Sequence, residues 1–327
     1  MTVMSYIQAI TTALREEMLR DEKVFILGED VGVKGGVFRA TDGLYEEFGA
    51  ERVLDTPLAE SAIAGVGIGA AMYGMRPVAE MQFADFILPA VNQIISEAAK
   101  IRYRSNNDWN APITIRAPYG GGVHGALYHS QSLESIFANQ PGLKIVMPST
   151  PYDAKGLLKA AIRDNDPVLF FEHKRAYRLL KADVPEEDYV IPIGKADIKR
   201  EGTDITIITY GLCIHFALQA AEKLAEEGID SHILDLRTVY PLDQEAIITA
   251  AKKTGKVLLI TEDNKEGSII GEVAAIIAEN CLFDLDAPIM RLAGPDIPAM
   301  PYSPPMEKFF MVNPDKVEKA MRELAEF

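Results

Sequence analysis

Short apolar, β-rich runs alternate with amphipathic helical stretches from one end of the chain to the other. That alternation limits the fold more than any other feature. Ile7, Ile10, Leu14 and Met18 recur at helical spacing, so 5–20 is expected as a helix. Runs 24–27, 76–80, 113–117, 144–147 and 168–171 read as strands. Stretches 60–74, 90–102, 132–138 and 151–163 read as the helices between them, with Pro151 suited to a first turn. Around 181–187 the pattern lapses into the polar KADVPEE, and 189–195 offers an edge strand. The alternation restarts with strands at 205–209, 231–236, 257–261 and 288–292. Helices fall at 213–227, 243–254 and 268–280, and a closing helix is marked by Val317, Ala320, Met321 and Leu324. Between 293 and 314 six prolines argue against regular structure. The expected class is α/β, two blocks with mostly parallel sheets covered on both faces. The expected domains are 1–185 and 201–327, with 186–200 as linker.

At 327 residues two domains are the natural count. Asp and Glu number 48 against 33 Lys and Arg, a net charge of −15. So acidic a chain lacks the clustered cations that nucleic-acid phosphates require, and suits a basic protein partner. The two cysteines, Cys213 and Cys281, lie too far apart in sequence for a zinc or CxxC motif and read as core thiols of a reducing compartment. The amino-terminal residues lack a signal-peptide pattern, and no uncharged run is long enough to span a membrane, so the expectation is a cytoplasmic chain.

P-loop, zincin and nucleophile-elbow motifs are absent. Gly65, Gly67 and Gly69 fall inside an uncharged helical stretch, where small residues permit another backbone to approach closely. The segment 118–130, PYGGGVHGALYHS, is the most unusual: three glycines follow a strand and two histidines, His124 and His129, follow the glycines. A loop at the carboxyl end of a parallel strand is where α/β proteins place their sites, though a tight surface loop with solvated histidines fits equally well. Glu60 reads as a carboxylate at a helix amino terminus, Glu29 as a loop carboxylate, and Asp164 and Asp166 as turn residues.

Together, GEDVGVKGGVFRAT (28–41), DTPLAES (55–61), AEMQFADF (79–86), EAAKIRYRS (97–105), RAPYGGGVHGALYHSQS (116–132), PGLKIVMPSTPYDAKGLL (141–158), DLRTVYPLD (235–243) and AGPDIPAMPYSP (293–304) resemble one family. It is the β subunit of the thiamine-diphosphate-dependent 2-oxo acid dehydrogenase decarboxylase. HGALYHSQS and QFADF look most like the branched-chain enzyme. The resemblance implies a pyrimidine-binding domain followed by a transketolase-like carboxyl-terminal domain. It implies an α2β2 heterotetramer whose cofactor lies between α and β, with magnesium on the α subunit. The GDG motif that such enzymes use for the diphosphate and magnesium is absent here, as expected if that half belongs to another polypeptide.

The resemblance gives Glu60 the role of hydrogen-bonding the cofactor's pyrimidine nitrogen. Phe86 would stack on that ring, Glu29 would lie close to the cofactor, and His129, with His124 nearby, would line the substrate channel. It further implies a potassium ion held by carbonyls of Ile113, Ala161, Asp164 and Asp166. The implied partners are an α subunit and a dihydrolipoyl acyltransferase core with its lipoyl domain. The implied substrates are branched 2-oxo acids, with pyruvate or acetoin enzymes as the near alternative. A non-catalytic assembly subunit and a self-sufficient homodimer of transketolase type are the remaining alternatives.

Overall fold

The computed structural model describes all residues, Met1–Phe327. The chain divides into two units: Met1–Tyr119 with Ile136–Ile193, and Gly120–Ser135 with Gly194–Phe327.

In the first unit β1 (Thr2–Ser5) leads into α1 (Tyr6–Arg20). Ser5 caps the helix in a reciprocal box with Gln8, satisfying two amino-terminal groups at once. The central sheet contains β2 (Val24–Gly28), β3 (Val53–Asp55), β4 (Arg76–Glu80), β5 (Thr114–Tyr119), β6 (Lys144–Val146) and β7 (Val168–His173). Their order is β6-β7-β5-β4-β2-β3, all pairs parallel. Strands β2, β5 and β7 are buried along their whole length, as a sheet covered on both faces requires. Helix α2 (Glu60–Met72) packs on β4 and α3 (Pro151–Arg163) packs on α1. Ile10, Leu14 and Met18 of α1 share a core with Leu157, Leu158 and Ile162 of α3. No other backbone approaches the small-residue helix closely at its glycines: a Cβ at Gly67 would lie 2.7 Å from the side-chain Cδ1 of Ile113, and one at Gly69 would meet nothing within 4 Å.

In the second unit the strands are β9 (Asp197–Arg200), β10 (Ile205–Thr209), β11 (Ser231–Asp235), β12 (Val257–Asn264) and β13 (Met290–Gly294). Their order is β13-β12-β10-β11-β9, with only β9 antiparallel. Helices α4 (Cys213–Ala225), α5 (Gln244–Thr254), α6 (Ile269–Cys281), α7 (Pro304–Phe310) and α8 (Pro314–Ala325) complete it. Both cysteines are buried and free.

Four local expectations fail. Lys181–Val184, in the stretch where the alternating pattern lapses into polar residues, is strand β8, paired antiparallel with β1. Its polar side chains give no local signal, because its partner lies at the other end of the unit. Stretch 90–102 is not one helix. A 3-10 segment Ala84–Ala90 containing Pro89, a π turn Asn92–Glu97, a second 3-10 turn and a short α-helix Ile101–Arg104 follow one another. Such pitch changes often mark functional segments. The edge strand expected at 189–195 forms instead at Asp197–Arg200, after Gly194 turns the chain at φ +86°. The proline-rich tract 293–314 holds α7, because Pro304 and Pro305 occupy its first turn, where a missing amide hydrogen is harmless.

Candidate active site

Strand order in the first unit reverses at β2, with β3 on one side and β4 on the other. Open parallel sheets bind ligands in the crevice outside the carboxyl ends of the strands at such a point. Gly28, the last residue of β2, pairs with Glu80, the last of β4. The residues leaving these two strands are Glu29 and Met81, and the residues after β3 lead to Glu60.

The loop after β2 is folded tightly. The Gly32 amide donates to Oδ1 of Asp55 at 2.6 Å, and a Cβ at Gly32 would lie 2.5 Å from Oδ2 of the same carboxylate. This is why GEDVGVKGG needs its glycine at 32. Glu29 emerges from the loop half-buried. Glu60 stands in the first turn of α2, at the positive end of the helix, and is only 9% exposed. Neither carboxylate has a hydrogen-bonding or ion-pairing partner within the chain. Partial burial, then the charges of Asp30 and Glu60, push the Glu29 carboxyl up. A nearly buried carboxylate with no internal donor can accept a hydrogen bond from a donor outside the chain. An aminopyrimidine with a protonated ring nitrogen is a donor of that kind, so the residues present fit thiamine diphosphate.

Phe86 lies in the 3-10 segment after β4, half-buried. Its ring meets Phe83 edge-on at 5.4 Å, and Phe83 meets Phe38 edge-on at 5.4 Å. The aromatic chain continues to Tyr177. It holds Phe86 in place as a flat apolar surface next to the loop, and Gln82 reaches back to Asp30 at 3.2 Å.

Beneath this lies an ionic network that sequence reasoning missed. Arg116 on β5 is fully buried, 2.5 Å from Glu80 on β4 and 2.6 and 2.8 Å from Glu172 on β7. The Tyr177 hydroxyl donates to Glu172 at 2.6 Å. Burial raises Glu80 even with Arg116 beside it. The two carboxylates outweigh burial at Arg116 and keep its proton firmly held. The available signal was one charge inside each of three apolar strands, VAE, TIRAP and LFFEH, which turn out to be neighbours.

The histidine segment belongs to the second unit. The Gly121 amide donates to Glu262 at 2.6 Å, and the amides of Gly122 and His124 donate to Oε1 of Glu307. Nδ1 of His124 lies 2.6 Å from Oε2 of Glu307. His124 and Ala126 hold φ of +56° and +54°, strain of about 1–3 kcal/mol each that these anchors sustain. His129 follows a 3-10 turn, Ala126–Tyr128, and is half-buried. Thus Glu29, Glu60 and Phe86 gather in one unit and His124 and His129 in the other.

At the expected potassium corner the carboxylates are already paired. Lys144 lies 2.6 Å from Asp164 and 3.4 Å from Asp166, and Arg102 lies 2.6 Å from Asp166. The carbonyl of Ile113 accepts from the Val168 amide, that of Ala161 from the Asp164 amide, and that of Asp164 from Arg76. Each of these carbonyls keeps a second lone pair.

The model of the transketolase pyrimidine-binding domain matches residues 2–179, and that of the transketolase carboxyl-terminal domain matches 194–317. The chain is 82% identical over 327 residues to the 2-oxoisovalerate dehydrogenase subunit beta of Bacillus subtilis (strain 168), covering all of both. It belongs to the β-subunit family of the thiamine-diphosphate-dependent 2-oxo acid dehydrogenases. Another member, the pyruvate dehydrogenase E1 component subunit beta of the same organism, is 50% identical over the full length of both chains. A split-gene transketolase described as an inactive beta4 tetramer superposes with a TM-score of 0.80 at 22% identity, over 99% of this chain and 98% of that one. That likeness establishes the fold. No helix of this family member is long and apolar enough to cross a membrane.

Proposed function

We propose that this chain is the β subunit of a branched-chain 2-oxo acid dehydrogenase decarboxylase, cytoplasmic and assembled with an α subunit as α2β2. The observation that carries the chemistry is Glu60, a nearly buried carboxylate without an internal partner, at the switch point of a parallel sheet. Thiamine diphosphate, when bound, supplies a nucleophilic carbon that takes up the substrate carbonyl and the electrons left by departing carbon dioxide.

Glu60 holds a proton at the pyrimidine ring nitrogen. Acid–base assistance of this kind is worth ~10²–10⁴-fold in rate. Phe86 gives the ring an apolar face, and Glu29 stands next to Glu60. His129 is the group for proton transfer toward the reacting acyl group and the arriving lipoyl arm, since imidazole exchanges protons near neutral pH. Magnesium and the diphosphate are assigned to the α subunit. Potassium is assigned to the carbonyls of Ile113, Ala161, Asp164 and Asp166, and the acyltransferase core to the acidic surface of this chain.

The higher identity to the 2-oxoisovalerate enzyme than to the pyruvate enzyme supports a branched substrate. The test is decarboxylation with and without a co-expressed α subunit, supplying 3-methyl-2-oxobutanoate, pyruvate and acetoin in parallel. Turnover only with α, and highest on the branched acid, is expected. Preference for pyruvate or acetoin would overturn the substrate. Activity from this chain alone would overturn the division of the cofactor site. Glu60→Gln should assemble normally and lose at least a hundredfold in turnover, and full activity would remove Glu60 from the mechanism.

A further inference from the structure

The segment Gly120–Ser135 is fastened at both ends. At its beginning, carboxylates accept from backbone amides: Glu262 from Gly121 and Glu307 from Gly122 and His124. At its end the arrangement is inverted, because the segment itself brings in a carboxyl group. Glu134 is 1% exposed. Tyr210, after β10, donates its hydroxyl to Oε1 of Glu134 at 2.8 Å, and that hydroxyl is also bonded to Thr261 at 2.7 Å. Oε2 of Glu134 is buried with no hydrogen bond.

The other titratable groups facing Glu134 are Glu262 and Asp263 on β12, and Cys213 at the start of α4. Asp263 accepts from the hydroxyl of Ser135, the neighbour of Glu134, at 2.6 Å. Tyr210 and Cys213 are neutral, burial raising both. The groups that act on Glu134 are therefore neutral or carry its own sign. An ionised carboxylate there would leave a bare charged oxygen beside two others, whereas a neutral acid would not.

We propose that Glu134 is a positioning residue: as a neutral acid it docks the carboxyl end of the His124–His129 segment against Tyr210, Thr261 and Asp263, and its ionisation loosens that docking. The consequence for catalysis rests on the reading of His129 given above. Burial first, then Asp263, pushes Glu134 up to about 8. Undocked, it would titrate near ~4.3. Docking contributed by the neutral acid is complete below the lower value and is lost as pH rises toward the higher. It weakens about tenfold per pH unit between them and levels off above.

The experiment uses the α/β complex with thiamine diphosphate and magnesium, following amide hydrogen exchange of residues 131–137 between pH 6 and 9, corrected for intrinsic exchange. Protection in the parent should fall about tenfold per unit toward pH 8 and then flatten. Glu134→Gln, a permanently neutral analogue, should remove the slope. Asp263→Asn should move the levelling-off to lower pH. A flat parent profile, or an unchanged slope in Glu134→Gln, would overturn the proposal. The second-order constant kcat/KM should lose the matching alkaline decline in Glu134→Gln. Should exchange behave as expected while His129→Asn keeps full turnover, the docking role stands and the catalytic reading of His129 falls.

Discussion

Replacing Arg116 by methionine tests the network under the cofactor crevice. The guanidinium is fully buried and makes three hydrogen bonds to Glu80 and Glu172. Methionine fills similar space and donates nothing. Glu172 keeps the Tyr177 hydroxyl, while Glu80 loses its cationic partner. Stranding a buried charge in this way costs about 3–5 kcal/mol. The single tryptophan, Trp109, lies in the first unit, so its fluorescence during urea unfolding reads that unit. With a slope of ~1–3 kcal/mol per molar urea, the midpoint at pH 7 should fall by at least ~1 M. The pH dependence is the sharper part. Without Arg116 the Glu80 carboxyl is raised in the folded state further above its unfolded value of ~4.3 than it already is. Stability from its neutral form is complete below that value and is lost as pH rises through the folded one. The deficit should therefore be small near pH 4.5 and grow by up to ~1.4 kcal/mol per unit toward neutrality. Adding Glu80→Gln and Glu172→Gln should recover most of it. A midpoint shift below ~0.5 M at pH 7, or an equal shift at pH 5 and 7, would refute the reasoning.

Gly142 has φ of +102° and would place a Cβ 1.9 Å from the carbonyl oxygen of Ala99, so Gly142→Ala should destabilise the first unit by several kcal/mol, read by the same titration. Phe86→Ala should raise the thiamine diphosphate concentration needed for half-maximal activity about fivefold or more, through loss of ring contact worth ~1 kcal/mol, with little change in urea midpoint. Lys159 is 1% exposed and pairs with Glu16 and Asp188, but these keep Lys155 and Arg163, so Lys159→Ala strands no charge and should lower the midpoint by less than Arg116→Met does. Adding 100 mM potassium chloride, against sodium chloride, should raise the melting temperature if the carbonyls of Ile113, Ala161, Asp164 and Asp166 bind the ion. An identical temperature in both salts would remove potassium from the site.

The alternation of elements was legible because helical spacing and short β-rich runs are local signals. Helix α3 begins and ends where its Pro151 and its apolar face say it should. What local pattern could not carry was pairing at a distance. Strand β8 exists through β1, about 180 residues away, and KADV by itself looks like any exposed loop. The helix expected at 90–102 failed for another reason: pitch changes preserve apolar periodicity closely enough to read as one helix. At the site, Glu60, Glu29, Phe86 and His129 were reached through resemblance, since a lone carboxylate before a helix is ordinary. The unpartnered carboxyl oxygens of Glu60 and Glu29 are a property of the fold, and no spacing rule exposes it. Arg116, Glu80 and Glu172 were in plain view as charges within strands, and only strand order reveals that they meet.

The anchors of the histidine segment also bear on how the chain is made. Gly121 waits for Glu262, 141 positions later, and Gly122 for Glu307, 185 positions later. Ser135 and Glu134 wait for Asp263 and Tyr210. A ribosome delivers the amino-terminal end first. Residues 120–135 therefore leave the exit tunnel with none of these partners yet synthesised, and acquire their shape after nearly the whole polypeptide has emerged. A nascent or truncated chain ending before residue 307 would carry both histidines without the scaffold that seats them, so the segment is completed only in a finished molecule.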